Sequence, residues 1–380
     1  MGDTTNQQSP AESTGAASTS PAAPQGAPTP AAYPPERHFL RDLDTATWQV
    51  DAERLLMCSP LTEGVRSTGG SVALGQLAAL VDIAGAPVAL IAGSPDWTAT
   101  QDMSLHATGW LTEGPVVVDA RLVRAGRNTV VVGVDLYDGH GTDDLEVLRR
   151  AIDAAVEQGP APRSDGVGDS GGHDVGDGGD TGRGGDAGRG RGAGESDSGG
   201  TGGHGGGHDV GGVGETGAGD GVPTRVATGL LTFARIPRSA SASAGSFDPA
   251  ALVGQHRSME PPEPVVGTLL ERIGVEVVDA SRGVVEIAHH DYVRNSFGTI
   301  NGGVLGAVFQ AAAEAMCPGL VATDVQIHYL SQVRTGPART SATVSRDAAD
   351  HRVVTLRCVD AGNDGQLLSL ASVVLQRPPG

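Results

Sequence analysis

Two segments of this chain, Leu74 to Ala92 and Val304 to Met316, are apolar on nearly every face. A helix with no polar side cannot rest on a surface, so each must be enclosed by the rest of its domain. Both are rich in Ala and too long for a buried strand. Around the second lie segments with strand patterning, at Val275 to Val278 and Gly283 to His289 before it. Thr323 to Tyr329, Ala338 to Ser345, Val353 to Asp360 and Leu367 to Gln376 follow it. The order is strands, one long apolar helix, then more strands.

The first half repeats this plan. Trp48 to Cys58 reads as one strand, Leu74 to Ala92 as the helix, and Thr100 to Gly109, Val116 to Ala125 and Thr129 to Tyr137 as strands. The last strand, Ala227 to Arg235, comes after a polar helix of about Asp143 to Gln158 and a long Gly-rich stretch. That stretch therefore splits a hairpin, which chain-closure entropy tolerates because it grows slowly with loop length. A lone apolar helix beside an antiparallel sheet requires the sheet to wrap around it. The expected class is α+β, built as two tandem copies.

The 380 residues suffice for two cores. Residues 1–36, rich in Ala, Pro, Ser and Thr, read as a disordered tail, and the Gly/Asp-rich residues 159–222 as a disordered insert, since neither can form an apolar face. The remaining boundaries are 37–238 for the first domain, 239–262 for a linker and 263–380 for the second domain. A basic, apolar leader is lacking, and no segment reads as approaching the roughly 18 apolar residues of a membrane span. A cytoplasmic protein is expected.

The net charge of -19 argues against nucleic acid or anionic membrane as partner, because phosphate surfaces need a basic footprint. The chain has no lysine, and its Ala, Gly, Arg and Asp bias suggests an actinobacterial, GC-rich source. Cys58, Cys317 and Cys358 lack metal-ligand spacing and read as buried small hydrophobes. His204 and His208 fall in the Gly-rich stretch, where nothing fixes them on one face, so no metal site is expected.

The loop Asn295-Ser-Phe-Gly-Thr-Ile-Asn301-Gly302-Gly303 runs directly into the second apolar helix. A helix start gathers unpaired N–H groups and the positive end of the dipole, and can polarise a carbonyl placed there. Asn-Gly also marks hairpins, and Asn caps helices without catalytic purpose. The Ala-rich run after Gly303 rules out a hairpin strand but leaves plain capping open. In the first helix, Asp82 lies between Leu80-Val81 and Ile83-Ala84, where an unpaired charge costs several kcal/mol. It marks either a site or a residue facing a wet edge.

With this order and these residues, the chain resembles the hotdog-fold acyl-CoA thioesterases of the phenylacetate-degradation type, in tandem. That family's motif is Asn, then Gly, then His-Gly-Gly, with an acid seven residues after the second Gly. In the second half Asn295, Gly298, Gly302 and Gly303 match, Asn301 replaces His, and Gln310 holds the acid position. In the first half the acid is present as Asp82, while Ala73 and Leu74 replace His and the first Gly. Each half carries what the other lacks.

The resemblance implies a composite site in which Asn295, Asn301, Gly302 and Gly303 meet Asp82. Gly302 would polarise the thioester, Asp82 would be base or nucleophile, and Thr100 would orient water. Ala73, Leu74, Gln310 and Ala322 would form a dead counterpart. Coenzyme A is part of the substrate, with no further cofactor, and Arg124, Arg127, Arg334 and Arg339 are candidates for its phosphates. A homodimer of double-hotdog chains is expected by analogy. Two rivals stand beside this reading: an inactive acyl-CoA-binding or scaffolding protein, and a hotdog dehydratase or hydratase, for which no His-acid pair is found.

Overall fold

A computed structural model describes residues 33–158, 221–237 and 248–378. The stretches read as tail and insert fall mostly outside these residues. The first half contains α1 (Phe39–Asp42), β1 (Thr45–Gln49), β2 (Arg54–Ser59), α2 (Leu74–Gly93), β3 (Trp97–Ala107), β4 (Val116–Ala125), β5 (Thr129–Asp138), α3 (Leu145–Gln158) and β6 (Thr224–Ile236). β7 (His256–Met259) and α4 (Leu269–Arg272) follow, then β8 (Val275–Asp279), β9 (Val284–Ile287), α5 (Gly302–Met316), β10 (Val321–Tyr329), β11 (Ala338–Asp347), β12 (His351–Asp360) and β13 (Gln366–Gln376).

The strands form one antiparallel sheet of 13 strands in the order β7-β1-β2-β4-β5-β6-β3-β10-β13-β12-β11-β9-β8. Its first seven strands curl around α2 and the rest around α5. Each half is a hotdog. β5 pairs with β6 along its length, so the Gly-rich stretch does interrupt a hairpin. Trp48 to Cys58 is two strands rather than one. The polar, exposed Asp51-Ala52-Glu53 turns the chain, with Asp51 Oδ1 accepting the Glu53 N–H at 2.7 Å. Each half thereby has two strands, a helix and four strands. β7, inside the segment read as linker, adds an edge strand beside β1.

β3 and β10 join the halves, with Asp102 opposite His328 and Asp324 opposite His106. The resulting His–Asp contacts, 2.6 Å and 2.8 Å, are related by a pseudo-two-fold axis. Matching bulges at Thr100/Asp102 and Ala322/Asp324 obey the same axis. Asp138 accepts the amides of Thr112, Glu113 and Gly114, as Asp360 accepts those of Arg334, Thr335 and Gly336.

α2, with 20 residues and a mean hydropathy of 1.8, is long and apolar enough to cross a membrane, against the sequence expectation. Here it is a core helix, buried against its own sheet and α5. The two helices touch through small residues: a Cβ on Gly303 would lie 2.4 Å from Ala79 Cα, and one on Gly75 would lie 2.5 Å from Ala307 Cα. Phe233 of β6 and Phe309 of α5 are large buried rings of the core, each contributing about 1.5–3 kcal/mol by burial. All three cysteines are free thiols in the interior.

Candidate active site

The loop before α5 is held by its own asparagines. Asn295 Oδ1 accepts the Phe297 and Thr299 N–H groups at 2.9 and 3.3 Å, and the Asn295 N–H donates to the Thr299 carbonyl at 2.7 Å. Gly298, at φ +79°, makes the reversal that a side chain would strain. Asn301 then caps α5, its Oδ1 accepting the Gly303 N–H at 2.9 Å. The Gly302 N–H, first of the helix, has no intrahelical acceptor and lies at the positive end of the helix dipole, where negative charge is favoured.

Close packing at Gly303 brings Asp82 of α2 to this helix start. The Thr100 hydroxyl of β3 donates to Asp82 Oδ1 at 2.7 Å, and the Gly303 N–H also faces the carboxylate. Asp82 is only 7 % exposed. Burial raises its pKa above the ordinary carboxylate value, while the Thr100 and Gly303 hydrogen bonds pull the other way. The result is a carboxylate held in place yet more basic than one in water. The Tyr329 hydroxyl, at the end of β10, donates to the Gly302 carbonyl at 2.8 Å. Burial, then the nearby Asp82 charge, drives this phenol far above its usual pKa, so it stays a neutral donor. A Cβ on Gly302 would stand 3.3 Å from both Asp82 Oδ2 and Tyr329 Oη, so all three groups border one small space.

That space opens into a cavity of about 840 Å³, within the range of small-molecule sites. Ile83, Ala86, Pro87 and Leu90 of α2 form its floor, and Leu55, Met57 and Phe233 its sheet wall. Tyr33 and Pro34, from the segment read as tail, also line it. The Tyr33 hydroxyl lies 3.3 Å from the Arg294 carbonyl, to which it donates.

The pseudo-symmetric position is closed by its own side chains. Gln310 Oε1 accepts the Gly75 N–H at 2.6 Å, where Asp82 faces the Gly303 N–H in the other half. Its Nε2 donates to Glu314 Oε1 at 3.0 Å, which also takes the Ala322 N–H at 3.0 Å. Glu314 is thus a paired, half-buried carboxylate whose pKa desolvation raises. The cavity beside Leu74 and Ala322 is only about 140 Å³.

The structure therefore brings Asp82, Thr100, Asn295, Asn301 and Gly302 to one cavity, whereas Gly303 lies behind them in the helix contact and reaches the site only through its N–H toward Asp82. Within it the two asparagines hold the loop and cap the helix. None of Arg124, Arg127, Arg334 and Arg339 lines the cavity, and Arg339 pairs with Glu286. Sequence reading missed Tyr329 and also Arg257, which lines the cavity from β7. A strand-end tyrosine carries no pattern of its own, and Arg257 lay in a segment read as linker. His204 and His208 lie outside the described residues, and no group of three or more His, Cys, Asp or Glu could hold a metal ion among those described.

No protein-family profile and no curated protein matches the chain. Solved structures do. The tesB protein of Mycobacterium avium subspecies paratuberculosis is 8 % identical, with 88 % of this chain and 96 % of that one covered and a TM-score of 0.45. A hot dog fold protein of unknown function from Alicyclobacillus acidocaldarius is 8 % identical, covering 88 % and 96 % at a TM-score of 0.42. A Bacillus halodurans protein solved with CoA is 16 % identical over 30 % of this chain and 76 % of its own, at a TM-score of 0.26.

Proposed function

We propose that the protein is an acyl-CoA thioesterase of the phenylacetate-degradation type, hydrolysing its substrate at the single composite site between the two halves. The observation that carries this reading is the buried Asp82 carboxylate held by Thr100 against the N-terminus of α5, on the wall of a mostly apolar cavity. The thioester carbonyl would lie at the Gly302 N–H, with the acyl chain along the α2 floor. A water between Asp82 and the carbonyl carbon gives one proton to Asp82 as its oxygen bonds to that carbon. The Thr100 hydroxyl proton is spent on Asp82, and its lone pairs are free to accept the other proton of that water in a hydrogen bond. Negative charge gathers on the carbonyl oxygen, where the helix N-terminus stabilises it. Collapse breaks the C–S bond, and the proton on Asp82 passes to the departing thiolate, leaving free acid and CoA. Asn301, standing where the family has His, can cap but cannot take up a proton, so proton transfer falls to Asp82 alone.

The test is free-thiol release from short, medium, long and aryl acyl-CoA thioesters by the purified chain. Turnover on any of them supports the reading. Binding of acyl-CoA with no turnover would make the protein a non-catalytic acyl-CoA binder, the second reading, which Asn301 in place of His favours.

A further inference from the structure

The cavity has an ionised wall that the chemistry above leaves unused. β7 runs antiparallel to β1 with Thr47 opposite Arg257 and Thr45 opposite Met259. Thr45 and Thr47 are buried on the inner face of β1. Register therefore puts Arg257 and Met259 on the cavity side of the edge strand, and both line the cavity together with Leu55, Met57 and Leu252. The opposite face of the same ladder carries the stacked rings of Trp48 and His256.

Among the described residues of the cavity wall the other ionisable ones are Tyr33, Asp82 and Tyr329, so Arg257 is the one cation among them. It forms no ion pair among the described residues. Partial desolvation beside the apolar wall lowers its pKa. Arg257 keeps its contact with solvent on the edge strand, so an anion entering the cavity can reach it, and its planar guanidinium matches a carboxylate or phosphate with paired hydrogen bonds.

We propose that Arg257 is an oxyanion-binding subsite of the acyl cavity, which takes an oxyanion carried by the thioester itself. The apolar residues around it favour a carboxylate at the far end of the acyl chain. The phosphates of CoA are the other source of the same chemistry. This inference rests on the thioesterase reading for its kinetic arm, whereas its binding arm does not.

The experiment compares wild type, Arg257→Gln and Arg257→Lys on octanoyl and suberyl thioesters. These differ only in a terminal carboxylate, and each is offered as the CoA ester and as the phosphate-free N-acetylcysteamine ester. Thermal unfolding confirms that each variant is folded. An acyl carboxylate at Arg257 predicts that the suberyl-over-octanoyl ratio of kcat/KM falls about tenfold or more in Arg257→Gln with both thiols, and that Lys restores part of it. A CoA phosphate at Arg257 predicts a similar loss on both CoA esters and none on either N-acetylcysteamine ester. Equal loss on all four esters, or no loss on any, overturns the proposal and leaves Arg257 as an inward charge that blunts a sheet edge. Calorimetry with free octanoate, suberate and CoA decides the same question if no thioester is hydrolysed. Tighter binding of suberate or CoA by wild type than by Arg257→Gln then supports the subsite, and equal binding overturns it.

Discussion

Asp82 is costly to bury and is held by only a few groups, and its chemistry follows from that balance. Its pKa lies above the usual carboxylate range because burial outweighs the bonds from Thr100 and Gly303. A general base must be deprotonated, so kcat/KM should fall as pH drops through this raised pKa, at a pH higher than an exposed aspartate would give. Thr100→Val removes a bond that lowers the pKa. The acid limb should therefore move to still higher pH, with kcat reduced about tenfold. A pH–rate profile checks both, and an acid limb that stays in place would mean that Thr100 does not hold the ionised form. Asp82 was legible in the sequence because an acid inside an otherwise apolar helix needs an explanation. Tyr329 was not, because its meaning comes from a contact with Gly302 that only the two-half arrangement creates.

At the scale of elements, the crossing of α2 and α5 sets the site. Both helices were readable as buried from their lack of a polar face, but the glycines at the crossing matter only once the partner helix is known. A Cβ on Gly75 would meet the Ala307 backbone at 2.5 Å and Gln310 Oε1 at 2.9 Å. Gly75→Ala should therefore lower unfolding stability by about 1–3 kcal/mol in denaturant titration, and an unchanged midpoint would show that the crossing yields freely. The one strand read across Trp48 to Cys58 is a hairpin because Asp51 makes a local turn that the flanking apolar residues obscured. β7 escaped notice because a four-residue strand carries too few residues to show a period. It brings Arg257 to the cavity wall.

In the whole molecule, two hotdog halves share one sheet while their sites have diverged. One keeps the carboxylate, the hydroxyl and an open cavity, and the other replaces them with Gln310, Ala322 and the Gly75 N–H bond. One ligand should bind per chain in calorimetry. Gln310→Ala should leave kcat at the wild-type level while costing about 1–3 kcal/mol of stability, because the buried Gly75 N–H loses its acceptor. Two ligands per chain would show that the second site is alive. The duplication was visible from the repeated order of strands and helix. The closing of the second site was visible only as a missing acid, since the Gln310–Glu314–Ala322 network depends on how the helix meets β10. The most direct test of the account is Asp82→Asn, assayed for acyl-CoA hydrolysis and for acyl-CoA affinity in the same preparation. The account predicts turnover lower by about 10²- to 10⁴-fold with affinity close to wild type. Turnover that survives in the folded variant would contradict it, and would remove Asp82 from the chemistry.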